Sequence, residues 1–152
     1  MAVPKYQWTD WRNLGDWHNE PAKDEQGLYQ MRLVTAAGTV IPMARVGGVD
    51  QEGICFIGRT SRKGEKKEKT FAKQIKAFLE GRHPGANLYF LVEDALRDHF
   101  KEHRLQFRVR VIDEEEIDKS ETVLMRLYYE RFCELPPGNR GLPIGYEIAL
   151  ED

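Results

Sequence analysis

Gly27-Leu28-Tyr29-Gln30-Met31-Arg32-Leu33-Val34 is the stretch on which the fold turns. A glycine opens a run of strand-forming side chains, which predicts a β-strand over 28–34. Ala36-Ala37-Gly38 then supplies a turn, and 39–46 reads as a second strand. Gly47, Gly48, Asp50 and Gly53 have loop chemistry. Ile54-Cys55-Phe56-Ile57-Gly58 follows as a third strand, so uniformly apolar that a central position in the sheet is expected. Farther along, Leu105, Phe107, Val109 and Val111 alternate with Gln106, Arg108 and Arg110, the pattern of a strand with one face buried.

Helical periodicity fills the gaps between these strands. Over 66–80, Phe71, Ile75, Phe78 and Leu79 share one face, and Gly81 with His83-Pro84-Gly85 ends the helix. A second helix is predicted over 88–103. A third starts with Asp118 or Ser120 as its cap and runs to about Glu134, with Val123, Leu124, Leu127, Tyr128 and Phe132 inward. Pro136-Pro137-Gly138 breaks it, and 142–150 adds an edge strand. Together these elements make an α/β domain, a small mixed, mostly antiparallel central sheet flanked by helices. Residues 27–152 form the domain, preceded by an arm, 1–26, that carries Trp8, Trp11 and Trp17. The arm either docks its indoles on the domain or offers them as a stacking platform for nucleic acid.

A chain of 152 residues, 41% hydrophobic and 32% charged, is suited to one well-solvated core. No apolar run reaches the length of about 18–20 residues that a membrane span needs, and 1–10 lacks the apolar segment of a secretory signal. The two cysteines, Cys55 and Cys133, lie in apolar surroundings without metal-ligand spacing and read as buried free thiols. A cytoplasmic location is expected. The formal net charge of −2 excludes binding of nucleic acid by overall charge, so any such surface must come from local segregation. The run Arg59, Arg62, Lys63, Lys66, Lys67, Lys69, Lys73, Lys76 supplies one, interrupted by only Glu65 and Glu68. It reads either as a solvated helix face or as a phosphate-contacting surface.

Gly27-Leu28-Tyr29, then Phe56-Ile57-Gly58-Arg59, then Glu121 and Pro136-Pro137-Gly138-Asn139 occur in an order that resembles the GIY-YIG nuclease superfamily, over roughly residues 27–140. The resemblance implies a metal-dependent endonuclease that hydrolyses DNA phosphodiester bonds. It implies one divalent ion, Mg or Mn, at Glu121, and a role for Tyr29 near the attacking water. It also implies that Asn139 orients neighbouring groups, with Arg59 following the second motif. His83 is a further polar candidate, and Arg62, Lys63, Lys66, Lys67 and Lys69 are the candidate DNA contacts.

Three features depart from that pattern. Phe56 stands where a second tyrosine is usual. The helix arginine is replaced by Gln74, or by Lys73 one residue earlier, and neither offers a bidentate guanidinium fork. Residues 30–55 separate Tyr29 from Phe56, so the strand at 39–46 reads as an insertion. Each lost transition-state donor costs about 3 kcal/mol, which weakens catalysis more than it weakens the fold. The alternative is a module on the same fold that binds nucleic acid, or another protein, without cutting. The sequence leaves oligomeric state open.

Overall fold

A computed structural model describes residues 3–60, 70–80 and 104–139. Four strands form one sheet in the order β1 (Arg12–Asn13), β6 (Arg104–Val111), β2 (Gly27–Val34), β5 (Ile54–Arg59), and every strand pair in it is antiparallel. A separate hairpin joins β3 (Met43–Arg45) to β4 (Gly48–Asp50). Two helices are described, α1 (Phe71–Leu79) and α2 (Ile117–Phe132). The fold is α/β, with a four-stranded antiparallel sheet and helices, as the sequence pattern predicts.

Strand alternation sends the two helices to opposite faces of the sheet. On the inner face, Tyr29, Met31, Phe56, Phe107 and Val109 pack against Phe71, Ile75 and Phe78 of α1. On the outer face, Ile54 and Ile57 meet Met125, Tyr128 and Phe132 of α2, while Leu28 meets Ile117. The arm is fastened to the domain by backbone. β1 pairs with β6, and the carbonyls of Glu25 and Lys23 accept from the first amides of α1, Phe71 and Ala72. Thr70 caps that helix, accepting from the Lys73 amide at 3.3 Å.

Several expectations need correction. The predicted strand at 39–46 is only Met43–Arg45, and part of the predicted loop is β4. Among the described residues β5 stands at the sheet's edge, not its centre. Its continuous apolarity has another cause: α1 covers one of its faces and α2 the other. Neither Asp118 nor Ser120 caps α2. A 3-10 turn at Glu114–Glu116 runs straight into it, and Glu116 is the cap residue, with no side-chain bond. Leu79, Val123 and Leu127 are exposed, off the buried stripes of their helices. Cys133 is also exposed, in a left-handed turn that ends α2, while Cys55 is buried. The predicted helix at 88–103 and strand at 142–150 lie outside the described residues.

The hairpin reading as an insertion has a structural task. Its tip clamps the C-terminal end of α2: Arg45 ion-pairs with Glu134, whose carboxylate also accepts from the Val46 amide. The Gly47 amide donates to the Phe132 carbonyl at 2.8 Å, satisfying one of the acceptors a helix end leaves open.

Candidate functional site

The candidate residues fall into two sets at one end of β5. In the first set, Tyr29 on β2 lies opposite Gly58 on β5. A Cβ on Gly58 would approach Tyr29 Cζ to 2.4 Å and Phe56 Cε1 to 2.6 Å, so only glycine leaves room for the two rings. The rings of Tyr29 and Phe56 are 5.9 Å apart, and Phe71 meets Tyr29 edge-on at 6.5 Å. The Tyr29 hydroxyl donates to Gln74 Oε1 at 3.0 Å. Tyr29, Phe56 and Gln74 are 3%, 7% and 8% exposed, so this bond lies in an apolar setting where it is both strong and costly to lose. Lys73, one residue earlier, is exposed. The helix position that faces the tyrosine is therefore Gln74.

The second set lies across the sheet, because Arg59 follows Gly58 and points the other way. Arg59 Nε is 3.5 Å from Asp118 and 3.6 Å from Glu121, which sit three residues apart on one face of α2. Arg59 and Glu121 are largely buried, at 18% and 19% side-chain exposure, whereas Asp118 is open to solvent at 57%. Arg59 also donates through Nη1 to the Thr60 carbonyl at 2.9 Å, which fixes its stem.

Asn139 has a positioning role that its residue type alone does not reveal. Its side-chain amide accepts from the Ile57 amide at 3.0 Å and donates to the Ile57 carbonyl at 2.8 Å. It thereby occupies the free edge of β5 as a neighbouring strand would. Gly138 reinforces this, donating to the Cys55 carbonyl at 2.7 Å. A Cβ on Gly138 would lie 2.7 Å from that same oxygen, so the Pro-Pro-Gly-Asn block needs its glycine for close approach. Phe56 and Gly58, the residues of the first set, stand on the strand that Asn139 holds.

His83, Arg62, Lys63, Lys66, Lys67 and Lys69 lie outside the described residues. Among the described residues no group of three His, Cys, Asp or Glu side chains comes together, and no helix is long and apolar enough to cross a membrane. Burial pushes the Cys55 thiol up to about 12, which fits a packing residue and not a nucleophile.

Two further polar clusters are not apparent in the sequence. Asp50, 2% exposed, accepts from the Glu52 and Ile54 amides and from the Tyr128 hydroxyl at 2.9 Å. Burial and this hydrogen bond raise the Tyr128 pKa well above its ordinary value. The pair stands in the wall of a cleft of about 320 Å³ that Gln30, Glu52 and Arg131 also line. The other cluster is formed by Trp8 and Trp11 with Arg32, Arg108 and Arg110, on the outer face of β6 and β2. Strand alternation marks those arginines as outward-facing, but only the pairing of the arm with β6 brings the indoles to them.

No family model, curated protein or solved structure matches the chain.

Proposed function

We propose that this chain is a GIY-YIG-like, metal-dependent endonuclease that acts on DNA phosphodiester bonds, with a site weakened by Phe56 and Gln74. One observation carries the reading. Tyr29 and Gln74 on one face, and Arg59 with Glu121 on the other, come from four different elements and gather at the same end of β5. The basic run from Arg59 to Lys69 leaves that same strand end in sequence, as a phosphate-contacting segment would.

A divalent cation, when bound, supplies Lewis-acid polarisation of the scissile phosphate. Glu121, with Asp118 one turn earlier, would hold it. One or two carboxylates completed by water and substrate phosphate is a donor set that Mg²⁺ accepts, and Arg59 would then exchange these carboxylates for the phosphate. Tyr29 contributes an oriented dipole. Its hydroxyl donates to Gln74 Oε1, which orients the phenol. Asn139 keeps β5, and with it Gly58 and Arg59, in register.

The test is incubation of the protein with plasmid and with branched DNA, with and without Mg²⁺ or Mn²⁺, beside Glu121→Ala. Metal-dependent nicking that Glu121→Ala abolishes is the expected result. A second reading, a module on the same fold that binds nucleic acid without cutting, is favoured by the burial of Tyr29 against a neutral partner. Binding to both DNAs with no nicking under any metal would establish it in place of the first.

A further inference from the structure

The outer face of β6 and β2 concentrates positive charge in an arrangement that the site at the end of β5 does not use. Arg108 lies over both Trp8 and Trp11, at 4.7 and 4.6 Å from their ring centroids. Arg32 lies over Trp11 at 4.1 Å and Arg110 over Trp8 at 5.9 Å. The result is a ladder in which guanidinium and indole alternate: Arg110, Trp8, Arg108, Trp11, Arg32. Two of its rungs are also fixed in plane, since Arg108 Nε donates to Gln30 Oε1 at 2.8 Å and Arg32 Nε to Gln106 Oε1 at 3.0 Å. Gln106 in turn donates to Asn13 of the arm at 3.1 Å.

Charge on this ladder is offset only in part, by Glu52 from a distance. Among the described residues none of the three arginines has a carboxylate within ion-pair distance. Burial lowers the pKa of Arg32 and of Arg108, and Arg32 further lowers that of Arg108, while Glu52 opposes both shifts from a distance. Like charges held together and partly desolvated are unfavourable unless something of opposite sign meets them. The indoles offset part of that cost through their ring faces. Among the described residues each of Arg32 and Arg108 makes its side-chain hydrogen bond through Nε, and both side chains are partly exposed. Held through Nε and by the indoles, these guanidiniums keep their terminal donors, a planar set suited to a phosphate.

We propose that this Trp–Arg ladder is a second binding site, one that grips successive phosphates of a nucleic-acid strand on the sheet face opposite Tyr29. Each indole already carries two guanidiniums, so the ladder reads the backbone and not the bases. Arg108 and Arg110 are two residues apart on one strand, about 6.6 Å along its axis, a spacing comparable to that of phosphates in an extended single strand. The proposal rests on the nucleic-acid reading above but not on cleavage, so it is tested where cleavage is switched off.

In the Glu121→Ala background, an oligothymidylate is titrated at several salt concentrations, with Trp17→Phe leaving Trp8 and Trp11 as the fluorescent reporters. The expected result is a change in their emission on binding. Replacing Arg32, Arg108 and Arg110 by glutamine should flatten the log–log salt slope by about 2, given a contribution of about 0.7 per single-strand phosphate. Lysine at the same positions keeps the charge but loses the fork. It should preserve the slope while weakening binding, and it covers the case in which the glutamine triple variant fails to fold. Oligonucleotide binding that leaves both the indole emission and the slope of a folded triple variant unchanged would overturn the ladder. So would the absence of any binding. Ladder binding in a protein that never nicks DNA would instead overturn only the endonuclease reading.

Discussion

The two faces of the sheet are held by different kinds of interaction. The inner face is sealed by shape. Phe71, Ile75 and Phe78 of α1 interlock with Met31, Phe107 and Val109, and a buried hydrogen bond joins Tyr29 to Gln74 among them. The outer face is apolar only under α2. Beyond it the surface is a lattice of glutamine, arginine and tryptophan held by directional contacts. Hydrophobic packing dominates the inner face, whereas the outer face gathers three arginines that are offset only in part. On the proposal above, stability and ligand recognition are separated across one sheet, and the contrast can be broken by mutation.

The largest effect belongs to the inner core. Phe71→Ala, at a residue 1% exposed, is expected to cost about 3–5 kcal/mol, read as a fall in the urea midpoint. A loss below about 1 kcal/mol would mean that α1 is not the inner lid. Next comes Tyr128→Phe, which removes a bond to a buried carboxylate and should cost about 1.5–3 kcal/mol. Its pKa is raised on folding, so its contribution is complete below its ordinary value of 10.0 and declines as pH climbs toward the higher folded value. Wild type should therefore lose more stability than Tyr128→Phe between pH 10 and 12. Parallel curves in that range would show that the bond contributes little.

Tyr29→Phe removes the buried Tyr29–Gln74 hydrogen bond and should cost about 1–3 kcal/mol, whereas adding Gln74→Leu should recover most of the loss. Strictly additive single losses would show that the two residues do not act as a pair. On the outer face, Arg32→Ala should change stability by no more than about 1 kcal/mol, the worth of one partly exposed cation–π contact. A loss comparable to Phe71→Ala would make the ladder a structural core and erase the contrast. Smallest of all, a thiol reagent should modify Cys133 in the native protein and reach Cys55 only after unfolding.

Much of the inner face is legible in the sequence because hydrophobic periodicity is a local signal. Leu105 to Val111 alternates, and the stripe Phe71, Ile75, Phe78 repeats with the helix, so both elements form as predicted. The outer face is less legible because its structure depends on pairings between distant residues. Arg108 and Arg110 read as ordinary solvent-facing positions until β1 and the Trp8–Arg110 bridge bring the arm across them. The hairpin is missed for a related reason. Met43–Arg45 and Gly48–Asp50 are only three residues each, and they are held by the end of α2, not by a face of their own. The start of α2 is displaced because its cap residue is Glu116, which uses no side-chain bond that a sequence would advertise.

The most direct measurement of the central claim supplies the two groups that the proposed endonuclease site would be missing. Phe56→Tyr adds a hydroxyl beside Tyr29, and Gln74→Arg adds a guanidinium at the position that the Tyr29 hydroxyl faces. Nicking of supercoiled plasmid is then followed at fixed Mn²⁺, with circular dichroism confirming the fold and Lys73→Arg as the exposed control. If the scaffold is that of an endonuclease weakened at two positions, the double variant cuts faster than wild type and loses that gain with Glu121→Ala. A folded double variant that binds DNA yet cuts no better than wild type would contradict the account.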